Sequence, residues 1–314
     1  MGKVALTKVT DVSPFRKVAM GTWKTAKDPS VYGYVEIDMT EVDKALPGYC
    51  EKHGVKITPA HLVGRAISRC MQARPEINGM IRGSRIFLRK HVALFYQVNI
   101  PGSGEDKVKK ATLSGAVIHE AENLSTSEIA KKLKEKASNI RTGKDAEMKK
   151  NMDVFKILPW WFVRFYLDIA SFLMYGLNLN LSFLGIPKDP FGSVMITNIG
   201  SLGIDVAWAP LCPYTRVPLL LTVGATGDKV VAIDGKAEVR RILPISITFD
   251  HRLIDGIHAS HMAAEFKKWF AEPRIAISLN ISKNIKLNAS WGLYNQFMAK
   301  TSLVDSSYNF SYFW

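Results

Sequence analysis

The sequence predicts an α/β protein arranged as an α+β sandwich. Amphipathic helical patterns that begin at Thr58-Pro59 and at Ser125 are interspersed with alternating strand patterns. Strand patterns dominate late in the chain, where four of them lie between Ser193 and Phe249. Hydrophobic residues make up 47% and charged residues 22% of the 314 residues, which excludes collagen-like, coiled-coil and wholly disordered chains.

The first half of the chain contains two helix patterns and two strand patterns. Ser13-Pro14 is a typical helix start and predicts a helix over residues 13–27. Residues 34–39 alternate in hydropathy and predict a strand, as do residues 92–100. The helix that begins at Thr58-Pro59 has one apolar face, formed by Leu62, Val63, Ala66, Ile67, Cys70 and Met71.

The second half begins with a capping box and continues into strands. Ser125 and Glu128 have capping-box spacing, so a helix is expected with Ile129, Leu133, Ala137 and Ile140 facing inward and Lys131, Lys132, Lys134 and Lys136 solvated. Strands are predicted over residues 193–199, 216–223, 229–233 and 239–249. Gly227-Asp228 and Asp234-Gly235 are placed at hairpin turns, and residues 257–270 form a last helix.

The chain is strongly basic and its cysteines are few. A net charge of +14 and a pI near 9.6 favour phosphate groups, an acidic protein or a membrane surface as partner, or else a solvated basic face. No zinc-finger spacing or aromatic-interleaved basic run is present, so nucleic acid is not predicted as a partner. Cys50, Cys70 and Cys212 form no CxxC pair, and no signal peptide pattern precedes them, which favours the cytoplasm or another reducing compartment.

The segment most informative about a catalytic function is residues 246–256, Ser-Ile-Thr-Phe-Asp-His-Arg-Leu-Ile-Asp-Gly. An apolar strand runs into His251 and turns at Gly256 into a helix. Histidine has an unperturbed pKa near neutrality, so His251 at a strand end suits a general base. A satisfied structural histidine is the alternative from the residue pattern alone.

This segment resembles a known signature. Residues 250–256, DHRLIDG, resemble the HxxxDG signature of the dihydrolipoyl acyltransferases, the core subunits of 2-oxo acid dehydrogenase complexes, which chloramphenicol acetyltransferase shares. Further matches to that family occur in order over residues 13–150 and 190–273, at residues 15–17, 35–40, 74–78, 124–130, 195–200 and 234–251. The resemblance implies a chloramphenicol-acetyltransferase-like fold, with a mixed sheet flanked by helices, in a homotrimer.

The resemblance also implies a role for individual residues. His251 would take the proton from the thiol of coenzyme A or dihydrolipoamide, and the Thr197 hydroxyl would donate to the oxyanion of the attacked thioester. Asp255 would be a buried structural carboxylate paired with Arg16. Two further residues are implied to shape turns, Asn198 after the Thr197 strand and Gly256 before the last helix. In the family, the histidine and the threonine of one site come from neighbouring subunits.

The function implied is a coenzyme-A-dependent acyltransferase that moves an acyl group between coenzyme A and a thiol acceptor similar to dihydrolipoamide. The alternative is a non-catalytic or assembly-forming core or scaffold protein of a 2-oxo acid dehydrogenase-type complex. The family's lipoyl module is not found before the catalytic region, so either the acyl carrier is on another polypeptide or the acceptor is something else. The resemblance implies a homotrimer, and the tail leaves open whether trimers build a larger core. His258 and His261 have no third ligand in view, so no metal is predicted.

Three regions depart from the family pattern or flank it. We predict an arm at residues 1–12, a catalytic domain at 13–273 with an insert at 152–190, and a tail at 274–314. Residues 157–187 carry only Arg164 and Asp168 as charges, and the 19 residues 169–187 carry none. A true span would separate the Thr197 strand from the rest of its sheet, so a contact with a membrane surface or another subunit is predicted instead.

Overall fold

The main sheet has seven strands in the computed structural model, which describes residues 5–14, 17, 28–100, 112–142, 159–182 and 189–272. Contacts divide the chain into Met1–Ile277 and Ser278–Trp314, and all described residues belong to the first unit. In chain order the strands and helices are β1 (Leu6–Lys8), β2 (Ser30–Asp38), α1 (Thr40–His53), α2 (Pro59–Ala73), β3 (Gly79–Arg82), β4 (Arg85–Arg89), β5 (Leu94–Ile100), β6 (Thr112–Ile118), α3 (Thr126–Arg141), α4 (Trp160–Ser171), β7 (Val194–Asn198), β8 (Leu219–Val223), β9 (Gly227–Ile233), β10 (Lys236–Asp250) and α5 (Gly256–Ala271).

The sheet is mixed, as the resemblance implies. Its strand order is β2-β10-β8-β7-β5-β6, and β9 pairs with the free half of β10. The three central strands β5, β7 and β8 are parallel, whereas the remaining pairs are antiparallel. A second, three-stranded sheet has the order β1-β4-β3. Parallel neighbours require long crossover connections. The connection from β5 to β7 contains β6, α3 and α4, whereas the one from β7 to β8 contains only two 3-10 turns.

One face of the main sheet forms the core. Alternate residues of its strands pack against helices α1, α2, α3 and α5, because successive strand residues point to opposite faces. Helix α2 is buried along most of its length. The strand residues in this core include Val35, Ile37, Leu94, Tyr96, Val194, Ile196, Leu219, Leu221, Leu243 and Ile245. The two-layer α+β sandwich predicted from the sequence is therefore confirmed.

Most of the predicted elements are present, and the differences have physical reasons. The predicted turn at Gly227-Asp228 is wrong, since both residues start β9 and pair with β10. The turn at Asp234-Gly235 is confirmed, with φ values of 49° and 78° that fit a two-residue hairpin loop. Helix α1 was not predicted, because Pro47 and Gly48 lie inside it and interrupt its pattern. The predicted helix at 13–27 lies outside the described residues except for residues 13, 14 and 17.

The insert forms helix α4 and a π-helical turn, Phe172–Gly176, on the domain surface. Three arginines of the domain attach it. Arg82 Nε donates to the carbonyl of Gly176 at 2.7 Å, and Arg216 Nε donates to Ser171 Oγ at 3.3 Å. Arg89 forms a buried ion pair with Asp189 at 2.9 Å. Within the part of the chain that the structure describes, no helix is long and apolar enough to cross a membrane.

Glycine 64 lets helix α2 lie directly on strand β5. A Cβ at this position would overlap the hydroxyl of Tyr96 and come within 3.1 Å of Leu94 Cδ1. We expect Gly64→Ala to lower the free energy of unfolding by about 1–3 kcal/mol through overpacking. Gly48→Ala is the matched control on α1: its Cβ would meet no described atom within 4 Å, and it should raise stability by about 0.5–1 kcal/mol. Urea titration of both variants checks this, and equal effects would contradict the packing argument.

Histidine 61 makes stability depend on pH. Thr58 N donates to His61 Nδ1 at 3.0 Å, and burial lowers the pKa of His61 to about 4. Between about pH 6.5 and pH 4 the unfolded chain therefore binds more protons at this residue, so stability falls as the pH falls through this window. His61→Gln should flatten the decline by up to about 3 kcal/mol. Urea midpoints across the pH range measure it, with the exposed His261→Gln as control; parallel curves for both variants would contradict it.

Candidate active site

The histidine turn follows the last residue of β10. Asp250 N donates to the carbonyl of Pro218 at 2.9 Å, and His251 N donates to the carbonyl of Pro29 at 3.0 Å. The segments before β8 and β2 thus fix the turn from both sides. Within the turn, the amides of Leu253 and Ile254 both donate to the carbonyl of Asp250 at 2.9 Å.

The side chain of His251 has one defined tautomer in this arrangement. Its Nδ1 lies 3.0 Å from the carbonyl oxygen of Ile254. A carbonyl oxygen only accepts hydrogen bonds, so Nδ1 carries the proton and Nε2 carries the basic lone pair. The ring is partly buried and is held by its own turn. A neutral imidazole oriented in this way can accept a proton at Nε2.

Asp250 and Arg252 clamp the turn from the side. Asp250 Oδ1 accepts from Arg252 N at 2.9 Å, and Asp250 Oδ2 accepts from Arg252 Nη2 at 2.7 Å. Both side chains are largely buried, which makes this charge-assisted pair stronger than a surface pair. Both residues flank His251 in the sequence, and no role was predicted for either of them. Their i, i+2 spacing around the histidine is the signal that could have indicated a clamp.

Asp255 is the N-cap residue of helix α5. Its Oδ1 accepts from the amides of Ile257 and His258 at 3.1 Å each, and His258 Nδ1 lies 2.6 Å from the same oxygen. The carboxylate thus caps the positive end of the helix. Its side chain is 21% exposed in the single chain, and its burial within an assembly stays a prediction. The expected partner Arg16 lies outside the described residues.

Gly256 is the first residue of α5, and the chain shows no steric need for glycine there. Its φ is not in the left-handed region, and a Cβ would meet no described atom within 4 Å. Asn198, by contrast, lies in the turn where it was expected. Its Oδ1 accepts from Ser201 N at 3.3 Å, and its carbonyl accepts from Ser201 Oγ at 2.9 Å. Asn198 therefore shapes the turn after β7.

Thr197 lies on β7, and the structure does not bring it to His251. Met195, Leu220 and Thr248 form one row across β7, β8 and β10. Thr197 is two residues beyond this row in one direction, and His251 is three residues beyond it in the other. Thr197 and His251 are therefore five positions apart along the strand direction. This is about 16 Å, which is farther than any side chain reaches. The two residues therefore lie at opposite ends of the sheet within one chain.

A cavity of about 270 Å³ opens beside the histidine turn. Asp250, Arg252 and Leu253 of the turn line one side of it, and Cys212, Pro213 and Arg216 line another. Burial, and next the charge of Arg252, lower the pKa of Arg216. Burial also raises the pKa of the Cys212 thiol, so this thiol stays protonated at neutral pH. Sequence reasoning missed this cavity, because residues 211–217 show no motif.

The described residues contain no candidate metal site. No cluster of three histidine, cysteine, aspartate or glutamate side chains with a geometry for a metal ion occurs among them. His258 is engaged with Asp255 and His261 is exposed on α5.

Solved structures define the class to which this fold belongs. The chain superposes on the dihydrolipoamide acetyltransferase of Azotobacter vinelandii with a TM-score of 0.57 and 21% identity, covering 87% of this chain and 95% of that one. It also matches the cubic core of a pyruvate dehydrogenase multienzyme complex, with a TM-score of 0.56, 20% identity and 87% and 95% coverage. These likenesses show the fold of an acyltransferase catalytic core.

Sequence comparison identifies the family. The model of the 2-oxoacid dehydrogenases acyltransferase (catalytic domain) family matches residues 5–151 and 191–277, and the chain belongs to this family. The gap between the two ranges coincides with the insert. A dihydrolipoyllysine-residue acetyltransferase component of an acetoin cleaving system, from Bacillus subtilis (strain 168), is 28% identical over 230 residues, 72% of this chain and 44% of the relative. The chain thus spans about half the length of the curated relatives it matches.

The capping role of Asp255 is testable by substitution. Asp255→Ala removes the acceptor for two helix amides, so we expect a loss of about 1 kcal/mol in the free energy of unfolding, together with lower activity. Asp255→Asn keeps an acceptor oxygen and should retain most of the stability. Thermal unfolding and acyl transfer measure the two effects. A fully stable and fully active Asp255→Ala variant would show that the cap has no such role.

Proposed function

We propose that the chain is a coenzyme-A-dependent acyltransferase that moves an acyl group between coenzyme A and a thiol of the dihydrolipoamide kind. The observation that carries the proposal is the 3.0 Å contact between His251 Nδ1 and the carbonyl oxygen of Ile254, because it makes Nε2 the basic nitrogen of the neutral ring at the end of β10. Family membership supports the same reaction class. Coenzyme A is a substrate in this proposal, and the reaction uses no metal.

One base is sufficient for the proposed reaction, because the proton taken from the attacking thiol is returned to the leaving thiolate. A thiol has a pKa near 8.5, so Nε2 of a neutral imidazole removes its proton at modest cost. The thiolate sulfur forms a bond to the thioester carbonyl carbon, and the carbonyl electron pair moves to oxygen. When the tetrahedral intermediate collapses, the bond to the leaving sulfur breaks. The proton on Nε2 then passes to that leaving thiolate, and His251 returns to its neutral form.

In one chain, as far as it is described, Thr197, the donor expected for the oxyanion, does not lie beside His251. Thr197 supplies the hydroxyl in this proposal, and one such donor is worth roughly 10²–10³ in rate. Because Thr197 lies at the other end of the same sheet, the site combines His251 of one copy with Thr197 of a second copy. A contact with one histidine and one threonine repeats around a ring, and the family resemblance implies that this ring is a homotrimer, which a larger core could incorporate.

We infer the redox state of the compartment from the three cysteines. Cys50, Cys70 and Cys212 are all free. A reducing compartment such as the cytoplasm suits a protein with free thiols and a thiol substrate.

Sharing of the site between copies gives a sharp prediction. His251→Ala should abolish turnover, and Thr197→Ala should lower it by about 10²–10³, each with little loss of stability. Chains of the two kinds, coexpressed in equal amounts with different tags, should recover up to about a quarter of wild-type activity, since that share of sites receives both residues.

The assay is acyl transfer from acetyl-, propionyl- and longer acyl-coenzyme A to dihydrolipoamide. Mixing the two variants after separate assembly is the control, because preformed oligomers do not exchange sites. A coexpressed mixture as inactive as its parts would contradict the shared site. A folded wild-type oligomer that is inert with every donor would favour the scaffold function instead.

A further inference from the structure

Helix α4 and the turn that follows it present an apolar row to solvent. The side chains of this row are 41% to 66% exposed and are spaced by four, four and three residues, which places them on one side of the helix: Trp161, Phe165, Ile169 and Phe172. We call this row the insert face. Single exposed apolar residues are ordinary, but a continuous row of this kind marks an interaction surface.

The insert face lies at the His251 end of the main sheet. Helix α4 contacts the turn Pro213–Thr215, and Pro213 lines the cavity beside the histidine turn. Arg216 lines the same cavity, and its Nε donates to the Oγ of Ser171, the last residue of α4. The insert face is therefore carried by a helix that is attached to the edge of the candidate active site.

A second apolar surface lies at the Thr197 end of the sheet. In the segment after β7, every second residue from 202 to 208 is an apolar side chain that is 36% to 65% exposed: Leu202, Ile204, Val206 and Trp208. Ala225 N, just beyond β8, donates to the carbonyl of Ile204 at 3.0 Å, which attaches this segment to the sheet. Asp205 is the only charged residue between positions 199 and 215. The 202–208 segment thus presents an apolar surface with a single charge.

The shared site determines which of these surfaces face each other. In the proposed function, the His251 end of one copy meets the Thr197 end of the next copy, and this contact repeats head to tail. The insert face borders the first end, and the 202–208 segment follows the second. Each junction between copies therefore brings together one insert face and one 202–208 segment, from different copies.

We propose that the insert face of one copy packs against the 202–208 segment of the next copy in the oligomer. This contact rests on the proposed function, because the shared site sets which ends of the sheet meet. The exposed charges beside the insert face are one arginine and one aspartate, Arg164 and Asp168, which suits a protein surface of low net charge. In a closed ring, the contact removes both apolar surfaces of every copy from water.

The size of the two surfaces fits an extension of the contact around the shared site. Four apolar side chains that are about half exposed offer roughly 300–400 Å² on each copy. A stable interface buries about 800 Å² per partner. The two surfaces therefore supply about half of an interface, and the parts of the two copies around His251 and Thr197 form the remainder.

The test is sedimentation velocity of the full chain and of two variants. Trp161→Ser/Phe165→Ser alters the insert face, and Leu202→Ser/Ile204→Ser alters the segment. Both variants should dissociate where wild type stays assembled, with dissociation constants raised about a hundredfold, or about tenfold for each side chain. The matched control is Lys132→Ser/Lys136→Ser, which shortens two exposed side chains at the same spacing on α3 and should sediment as wild type does.

A mixture of the two variants distinguishes this contact from one between like surfaces. The intact insert face of the segment variant can meet the intact segment of the insert variant, so a heterodimer should form although each variant alone stays dissociated. A variant that had merely lost its fold could not restore the contact. A mixture that stays dissociated overturns the proposal.

Two other outcomes also overturn the proposal. If two insert faces met each other, the insert variant would dissociate and the segment variant would remain assembled. If the insert variant sediments as wild type does, the insert face has another occupant, such as a bilayer or a segment of its own chain.

Acyl transfer separates failure of this contact from failure of the proposed function. Because the site is shared, the specific activity of both variants should be low in dilute solution and rise with protein concentration as copies reassociate. Wild type that assembles through both surfaces and transfers no acyl group would contradict the proposed function and leave the contact intact. Variants that stay assembled and active would overturn the contact and leave the reaction intact.

Discussion

Strand β10 is the element on which the rest of the structure depends. It pairs with β2 and β8 along its second half and with β9 along its first half, so three neighbours fix its position. Its end is tied to the segments before β2 and β8 through the carbonyls of Pro29 and Pro218. These bonds leave the His251 turn little freedom, and the Asp250–Arg252 pair then holds its shape. The orientation of the imidazole is thus a property of the whole sheet.

The same rigid pairing determines what a single chain lacks. Because β7, β8 and β10 are joined row by row, Thr197 and His251 stay at opposite ends of the sheet. No loop movement within the chain changes this separation, since both residues belong to or directly follow paired strands. In the proposed site, a second copy therefore supplies the threonine that meets His251.

The sequence was sufficient for the two-layer architecture because its strongest signals are local. Apolar periodicity located α2, the capping box located α3, and alternation located β2 and β5. The small sheet of β1, β3 and β4 could not be seen in this way, since its strands have three to five residues. His251 stood out through its motif. The cavity beside Arg216 and the separation of Thr197 from His251 depend on tertiary register, which no local pattern contains.

The position of β10 has a consequence for biosynthesis. Its partner β2 lies more than 200 residues earlier, at pairs such as Ser30 with Asp250 and Asp38 with Ile242. During translation, β2 has no partner strand until nearly all of the domain has left the ribosome. Pairing of strands so far apart in sequence is slow, because a long loop must be closed first. Until then the unpaired strand edges can pair with other chains. A nascent or truncated chain that ends before residue 236 thus lacks the strand that covers β2 and β8, and it becomes a client for chaperones.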